Sequence, residues 1–244
     1  MVDVTRARSF EGIGEEYDRY RPGFPQRAAD VIIPEPVDAA LDLGAGTGKF
    51  TGLLLGRAAR VIAVEPSAPM LAVLARNLPT VDARSGSAES IPAPDGSVDV
   101  VSVAQAFHWF DRAAASAEIA RVLVPGGTLG LLWNRADPAC AWDLACHRVA
   151  HPAVGADDDT SASATDLPGF VLDLHEEVRW TERITREDYL RRWGTVSSFL
   201  VADDAERAAT VASLERVLDG ADETRGKAEF DLPHLTDVFR YRRV

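Results

Sequence analysis

Positive charge is scarce in this chain. Its 244 residues carry 26 Lys and Arg against 38 Asp and Glu, a formal net charge of −12. A general nucleic-acid binder needs a basic footprint, so neither nucleic acid nor an anionic membrane surface is an expected partner, although a local basic pocket is compatible with this balance. Cysteine is scarcer still. Cys140 and Cys146 are the whole complement, too few for a disulfide framework, and a lone Cys-x5-Cys pair is not a zinc site. Helix packing is their expected role, and no metal is expected. No apolar run approaches the roughly 18 residues of a membrane helix. Met1-Val2-Asp3-Val4-Thr5 lacks the basic and apolar regions of a secretion signal. The expectation is a cytoplasmic chain, long enough to bury a substantial core.

The densest signal is Leu41-Asp42-Leu43-Gly44-Ala45-Gly46-Thr47-Gly48. Residues 40–43, apolar but for one carboxylate, read as a buried strand. Three glycines at alternate positions let the backbone turn sharply and approach a ligand. Residues 50–59, apolar at Phe50, Leu53, Leu54 and Ala58, predict a helix whose N-terminus offers unpaired N–H groups. Residues 60–64 read as a second buried strand ending at Glu65. Ligands bind outside the carboxyl ends of parallel strands, and an acidic residue about 20 positions past the glycines accepts hydrogen bonds from ribose.

A dinucleotide fingerprint is missing its last glycine. Gly48 comes one position early, and Lys49 stands where G-x-G-x-x-G needs glycine. Asp42 also brings a carboxylate toward the ligand, which suits a cationic amino group better than a pyrophosphate. A nicotinamide-dependent oxidoreductase is therefore the weaker alternative. Asp42 could instead be a structural carboxylate, and burial would then demand a partner.

The segment 41–48 resembles motif I of class I S-adenosylmethionine (SAM)-dependent methyltransferases. Glu65-Pro66-Ser67 with Met70-Leu71 resembles the next motif. Gly86-Ser87-Ala88-Glu89, Ile91-Pro92 and Ser97-Val98-Asp99-Val100-Val101 are similar to the adenine-side segment and fourth strand, and residues 118–127 to the helix-turn before the fifth strand. The resemblance implies SAM as cofactor and S-adenosylhomocysteine as product. It implies that Asp42, Gly44, Ala45, Gly46, Thr47 and Gly48 hold the methionine part and that Glu65 grips ribose. Pro66, Met70 and Ile91 would lie by adenine, with Ser87, Ala88 and Glu89 at its edge. Ala104, Gln105, Tyr17 and Arg21 would complete the cofactor's surroundings. A catalytically silent SAM-binding protein is the other reading.

Three stretches are expected. Residues 1–36 form a lead-in, with Ile13, Tyr17 and Tyr20 on one helical face, a break at Arg21-Pro22-Gly23-Phe24-Pro25, and a second helix over 26–33. Residues 37–135 alternate strand and helix, with strands near 39–43, 60–64, 81–85, 98–103 and 127–133, hence α/β with a parallel sheet. Residues 136–244 hold a polar mobile loop at 155–163, a strand over 171–185, helices at 186–193 and 203–218, and a final strand over 235–244. The resemblance makes this a Rossmann-like seven-stranded sheet. Its last strand is antiparallel and inserted between the fifth and sixth, and a helical cap lies over the substrate.

No Pro-Pro-aromatic motif of base-amine methylation follows the fourth strand. That loop reads Ala104-Gln105-Ala106-Phe107-His108-Trp109-Phe110-Asp111. With Tyr17-x-x-x-Arg21-Pro22 and Trp133-Asn134, it resembles a subgroup that includes trans-aconitate methyltransferase-like enzymes. The resemblance implies a small-molecule acceptor, methylated on oxygen or carbon, a carboxylate included. Tyr17, His108, Trp109, Trp133 and Asn134 would shape its pocket. Histidine titrates near neutrality, so His108 is the candidate general base. The alternatives stay open: His108 as a hydrogen-bonded wall, Trp109 and Phe110 as core, and Tyr17 and Arg21 as packing for the lead-in.

Overall fold

A computed structural model describes residues 14–150, 164, 166–196, 199 and 202–244, with backbone only at Gly14 and Tyr17. Ile13 and the polar loop expected at 155–163 lie outside the described residues. The lead-in forms α1 (Gly14–Tyr20) and α2 (Gln26–Ile32). Next come β1 (Val37–Leu43), α3 (Thr51–Leu54), β2 (Ala58–Glu65), α4 (Ala68–Asn77), β3 (Asp82–Ser85) and β4 (Val98–Ala104). After them come α5 (Arg112–Val122), β5 (Leu123–Ala136), α6 (Ala141–Ala150), β6 (Phe170–Thr185), α7 (Arg186–Trp193), α8 (Asp204–Gly220) and β7 (Glu229–Arg243).

The strands form one seven-stranded sheet in the order β3-β2-β1-β4-β5-β7-β6. β1 to β5 are parallel, and β7 runs antiparallel to both its neighbours. This is the expected Rossmann-like sheet with its last strand reversed. β1 lies mid-sheet with both faces covered, which is why five successive residues from Ala39 are buried. Alternation sends Leu41 and Leu43 to a core shared with Ile119, Phe107 and Trp133. It sends Ala40 to one shared with Ile32, Phe50 and Leu74. A third cluster, around Trp142, Tyr189, Trp193, Leu214 and Phe230, joins α6, α7 and α8 to β7 as a helical cap. Cys140 and Cys146 are free thiols buried in it.

Several boundaries differ from the sequence expectation. The helix expected over 50–59 is one turn, because Leu55 is extended and Gly56 takes φ +81°. β5 starts at Leu123, with an irregularity between the Val98–Leu123 and Val100–Thr128 pairs. β7 starts at Glu229 although Pro233 lies within it. Pro233 pairs only with Thr181 of β6, since pairing to β5 begins at His234, so its missing N–H costs no bond on that side.

Helix α2 rests directly on the sheet at Gly130. A Cβ there would overlap the Ile32 side chain at Cδ1. Gly130→Ala should therefore push α2 away and destabilise by about 1–3 kcal/mol, the usual cost of overpacking. Urea unfolding of Gly130→Ala, with and without Ile32→Val, checks this. The double variant should recover part of the loss, since the two sites share one contact.

Candidate active site

The carboxyl ends of β1, β2, β4 and β5 converge with the loops that leave them. Gly44 N and Ala45 N both donate to Val64 O, at 2.8 and 3.1 Å, which seats the turn on the end of β2. All three glycines have positive φ, yet their surroundings differ. A Cβ at Gly44 would lie 2.7 Å from Ala106 Cβ, and one at Gly48 2.9 Å from Leu78 Cδ1. Those two are packing glycines. At Gly46 the nearest atom would be Met70 Sδ, 4.0 Å away. Gly46 is therefore the position where backbone is laid open to a ligand.

Glu65 closes this turn from the side. Its Oε2 accepts from Gly46 N at 2.9 Å and its Oε1 from Ser67 N at 2.8 Å. Burial pushes its carboxyl above the ordinary range, and those two bonds pull it back. Each oxygen keeps a further lone pair for a diol. Two hydroxyls beside it, Thr47 Oγ1 and Ser67 Oγ, are buried without a partner. A cradle opened by Gly46, a carboxylate with spare acceptors and two unspent hydroxyls fit a nucleoside carrying a polar tail. Met70, Ala88 and Ile91 are buried near by, and Ala45 and Ser87 are half-buried. Pro66 and Glu89 are exposed, and Glu89 Oε1 accepts from Asp111 N at 3.0 Å, fastening its loop to the start of α5.

Asp42 is fully buried. Oδ2 accepts from Thr51 Oγ1 at 2.6 Å and Oδ1 from Ser102 Oγ at 2.8 Å. The geometry places it behind the turn, with hydroxyls as the partners burial demands, rather than aimed at a ligand's amino group. Desolvation raises its pKa to about 6, against the two bonds.

Beyond β4 lies Gln105, a non-glycine residue at φ +55°. Its backbone N–H donates to Leu132 O and its Nε2 to Asn134 O, both at 2.9 Å. Asn134 acts as a bracket: Nδ2 donates to Gly23 O at 2.8 Å, and Oδ1 accepts from Thr236 Oγ1 at 2.6 Å. Ala104 is half-buried before Gln105. Trp133 does not line a pocket. It is fully buried against Phe239, and its indole N–H donates to His108 Nδ1 at 3.4 Å. An indole can only donate, so in this contact Nδ1 is the accepting nitrogen. Nδ1 faces Trp133, and Nε2 is the nitrogen left toward other partners. Trp109 is half-buried, its ring 4.7 Å from His108. Arg21 Nη2 donates to Thr195 O at 2.9 Å. The Tyr17 side chain lies outside the described residues.

Sequence reasoning missed a second cluster at the same end of the sheet. Arg192 Nη2 donates to both oxygens of Glu182 at 2.8 Å, and Arg192 Nε donates to Tyr20 O at 2.7 Å. His234 Nε2 meets Glu182 Oε2 at 2.9 Å, and its ring stacks on Trp180 at 4.4 Å. Partners this distant in the chain leave no local signal.

Residues 41–131 match the family model described as "Methyltransferase domain". An uncharacterized methyltransferase of Mycobacterium tuberculosis is 37% identical over 95% of this chain and 94% of its own length. One from Schizosaccharomyces pombe is 30% identical over 97% and 98%. A structure from Anaeromyxobacter dehalogenans, provisionally named a type II methyltransferase, superposes with a TM-score of 0.69 at 26% identity, covering 92% of this chain and 98% of that one. The chain is a class I SAM-dependent methyltransferase. Its cofactor is SAM, and no helix among the described residues is long and apolar enough to cross a membrane.

The methyltransferase's buried Asp42 should show in its pH dependence. A folded-state pKa of about 6, above the usual 3.8, means the native state holds this proton more tightly. Its stabilising effect is complete below pH 3.8 and is lost as pH rises through 6, by about 1.4 kcal/mol per unit inside that window. Asp42→Asn removes this dependence. Relative to wild type, the variant should gain stability as pH rises from 4 to 6.5, measured by urea unfolding. A stability difference that does not change with pH would refute the burial argument.

Proposed function

We propose that this methyltransferase transfers the methyl of SAM to a small anionic or hydroxylic acceptor, at oxygen or carbon, in the cytoplasm. The observation that carries the reading is the roof. Arg21 on the lead-in donates to Thr195 beside the cap, and Arg192 on the cap donates back to Tyr20. A site straddled by reciprocal arginine-to-carbonyl bonds suits an acceptor that can be enclosed, and the acidic net charge does not favour nucleic acid. The buried free thiols fit a reducing compartment.

In this reading Gly46, Thr47 and their neighbours hold the methionine part, Glu65 takes the ribose diol, and Met70, Ala88 and Ile91 surround adenine. When bound, SAM supplies a methyl already activated on a sulfonium. The protein's work is then alignment and exclusion of water. Gln105 and Asn134 fix the floor, and His108 offers an N–H to an acceptor oxygen. A carboxylate arrives ionised at neutral pH and asks for no base.

Glu65→Ala should weaken S-adenosylhomocysteine by about 1–3 kcal/mol, the scale of charge-assisted bonds, as read by calorimetry. Unchanged affinity would remove the ribose assignment. A second expectation concerns His108→Ala. Assayed as turnover to S-adenosylhomocysteine across a panel of carboxylates and alcohols, it should raise the KM of the true acceptor and change kcat by less than about tenfold. A loss of 10²–10⁴-fold in kcat would make His108 the general base.

A further inference from the structure

Asn134, near the carboxyl end of β5, has its side chain and its carbonyl all spent on protein. Its backbone O accepts from Gln105 Nε2 at 2.9 Å, its Oδ1 from Thr236 Oγ1 at 2.6 Å, and its Nδ2 donates to Gly23 O at 2.8 Å. The direction of the amide is set from farther off. Trp180 Nε1 donates to Thr236 Oγ1 at 2.8 Å, and an indole can only donate. The fully buried Thr236 hydroxyl accepts that bond and gives its single proton to Asn134 Oδ1. The amide NH2 is then turned to Gly23 O, which can only accept. The chain from Trp180 through Thr236 and Asn134 to Gly23 runs one way, from a pure donor to a pure acceptor.

The two segments that Asn134 holds pack against the two ends of the glycine turn. At the first end, Gln105 leaves β4 at φ +55°, a conformation that a non-glycine residue keeps when its surroundings impose it. Both of its bonds go to β5, the backbone N–H to Leu132 O and the side chain to Asn134 O. The residues that follow lie on the first glycine. Ala106 Cβ and Phe110 Cζ would stand 2.7 and 3.2 Å from a Cβ at Gly44. At the other end, Gly23 leads directly into Phe24, whose ring meets that of Phe50 edge-on at 5.4 Å. Phe50 is buried and stands just past the last glycine, Gly48.

We propose that Asn134 is a positioning residue for the cofactor. It sets the spacing of the two walls that flank the glycine turn, and through them the affinity for SAM, without touching the ligand. Small displacements of residues around a bound ligand are costly even when the altered group is remote. The proposal rests on the glycine turn as the cofactor's seat.

The test is calorimetry with S-adenosylhomocysteine on the full chain, with hydrogen exchange and urea unfolding of the same variants. Thr236→Val keeps the shape of a fully buried residue but removes the proton that orients Asn134, and Thr236→Ser keeps that proton. Asn134→Asp keeps the bond from Thr236 and sets a carboxylate against Gly23 O. Gln105→Met keeps the side-chain length and removes the donor to Asn134 O. Thr236→Val and Asn134→Asp should speed exchange over residues 20–25, and Gln105→Met over residues 104–110. Each should weaken S-adenosylhomocysteine about tenfold at an undiminished stoichiometry, so that the loss lies in the folded protein. Thr236→Ser should bind as wild type does. Lower urea midpoints with unchanged affinity would mean a purely structural role and overturn the proposal. Wild-type affinity in either arm alone overturns it too, because Asn134 would not be the common support. Should Asn134→Asp fail to fold, the Thr236 pair decides its arm. Wild-type protein that binds no S-adenosylhomocysteine would overturn the cofactor's seat, and the proposal with it.

Discussion

One buried carboxylate in the middle of the sheet constrains the rest. Asp42 lies on the central strand β1, between β2 and β4, and has no access to water. A charge in that position must be met by donors, and each donor lost costs about 1–3 kcal/mol. The two that meet it come from different places. Ser102 is its register partner on β4, and Thr51 opens α3. Satisfying Asp42 therefore fixes the β1–β4 register and the point at which the chain must become helical after Gly48. The glycine turn is what is left between those fixed ends. Glu65 repeats the device one strand over, tying the end of β2 to Gly46 N. Two carboxylates, one wholly buried and one with oxygens still available, set the geometry in which a nucleoside can be held.

The roof is built on different terms. Besides apolar packing on the sheet edge, single polar bonds position it. Asn134 of β5, itself held by Thr236, donates to Gly23, and two arginine-to-carbonyl bonds join lead-in and cap. The cap has a hydrophobic cluster of its own, separate from the two that sandwich the sheet. Side chains on the roof can therefore change without disturbing the register that Asp42 secures. That separation is how one core can serve many acceptors, with specificity carried by elements laid over it.

The sheet was legible because its signals are local. Apolar runs of four to seven residues, each ended by a turn, mark β1, β2 and β4, and the glycine spacing distinguishes the cofactor. Boundaries were lost where a local rule met a tertiary exception. The last strand, expected from 235, begins at Glu229 and runs through Pro233, which stands where β5 has not begun to pair. The α3 helix read too long because Leu54 and Ala58 keep helical spacing while Gly56 breaks the turn between them. In the site, glycine and carboxylate positions were visible, but their directions were not. Asp42 faces hydroxyls, Trp133 faces the core, and Asn134 is consumed as a bracket. The pairing of Glu182 with His234 spans 52 residues and that of Arg192 with Tyr20 spans 172, so no periodicity announces them.

These directions bear on the kind of acceptor the site suits. Trp133 contributes an indole N–H that cannot accept, so the ring nitrogen of His108 facing it is an acceptor in that contact. A histidine held this way can take up a substrate proton only after surrendering that bond. Arg21 and Arg192 likewise present protons rather than lone pairs. On the proposed reading, the groups on the roof side of the cofactor turn are donors, while the acceptor capacity lies with Glu65 on the ribose side. Donors steady an oxygen that is already anionic and do little to deprotonate one that is not. An acceptor that arrives ionised, positioned against the sulfonium by fixed N–H groups in a water-poor cleft, needs only alignment to react. The residues assembled here are suited to that division of labour: the cofactor brings the reactivity, and the protein brings direction.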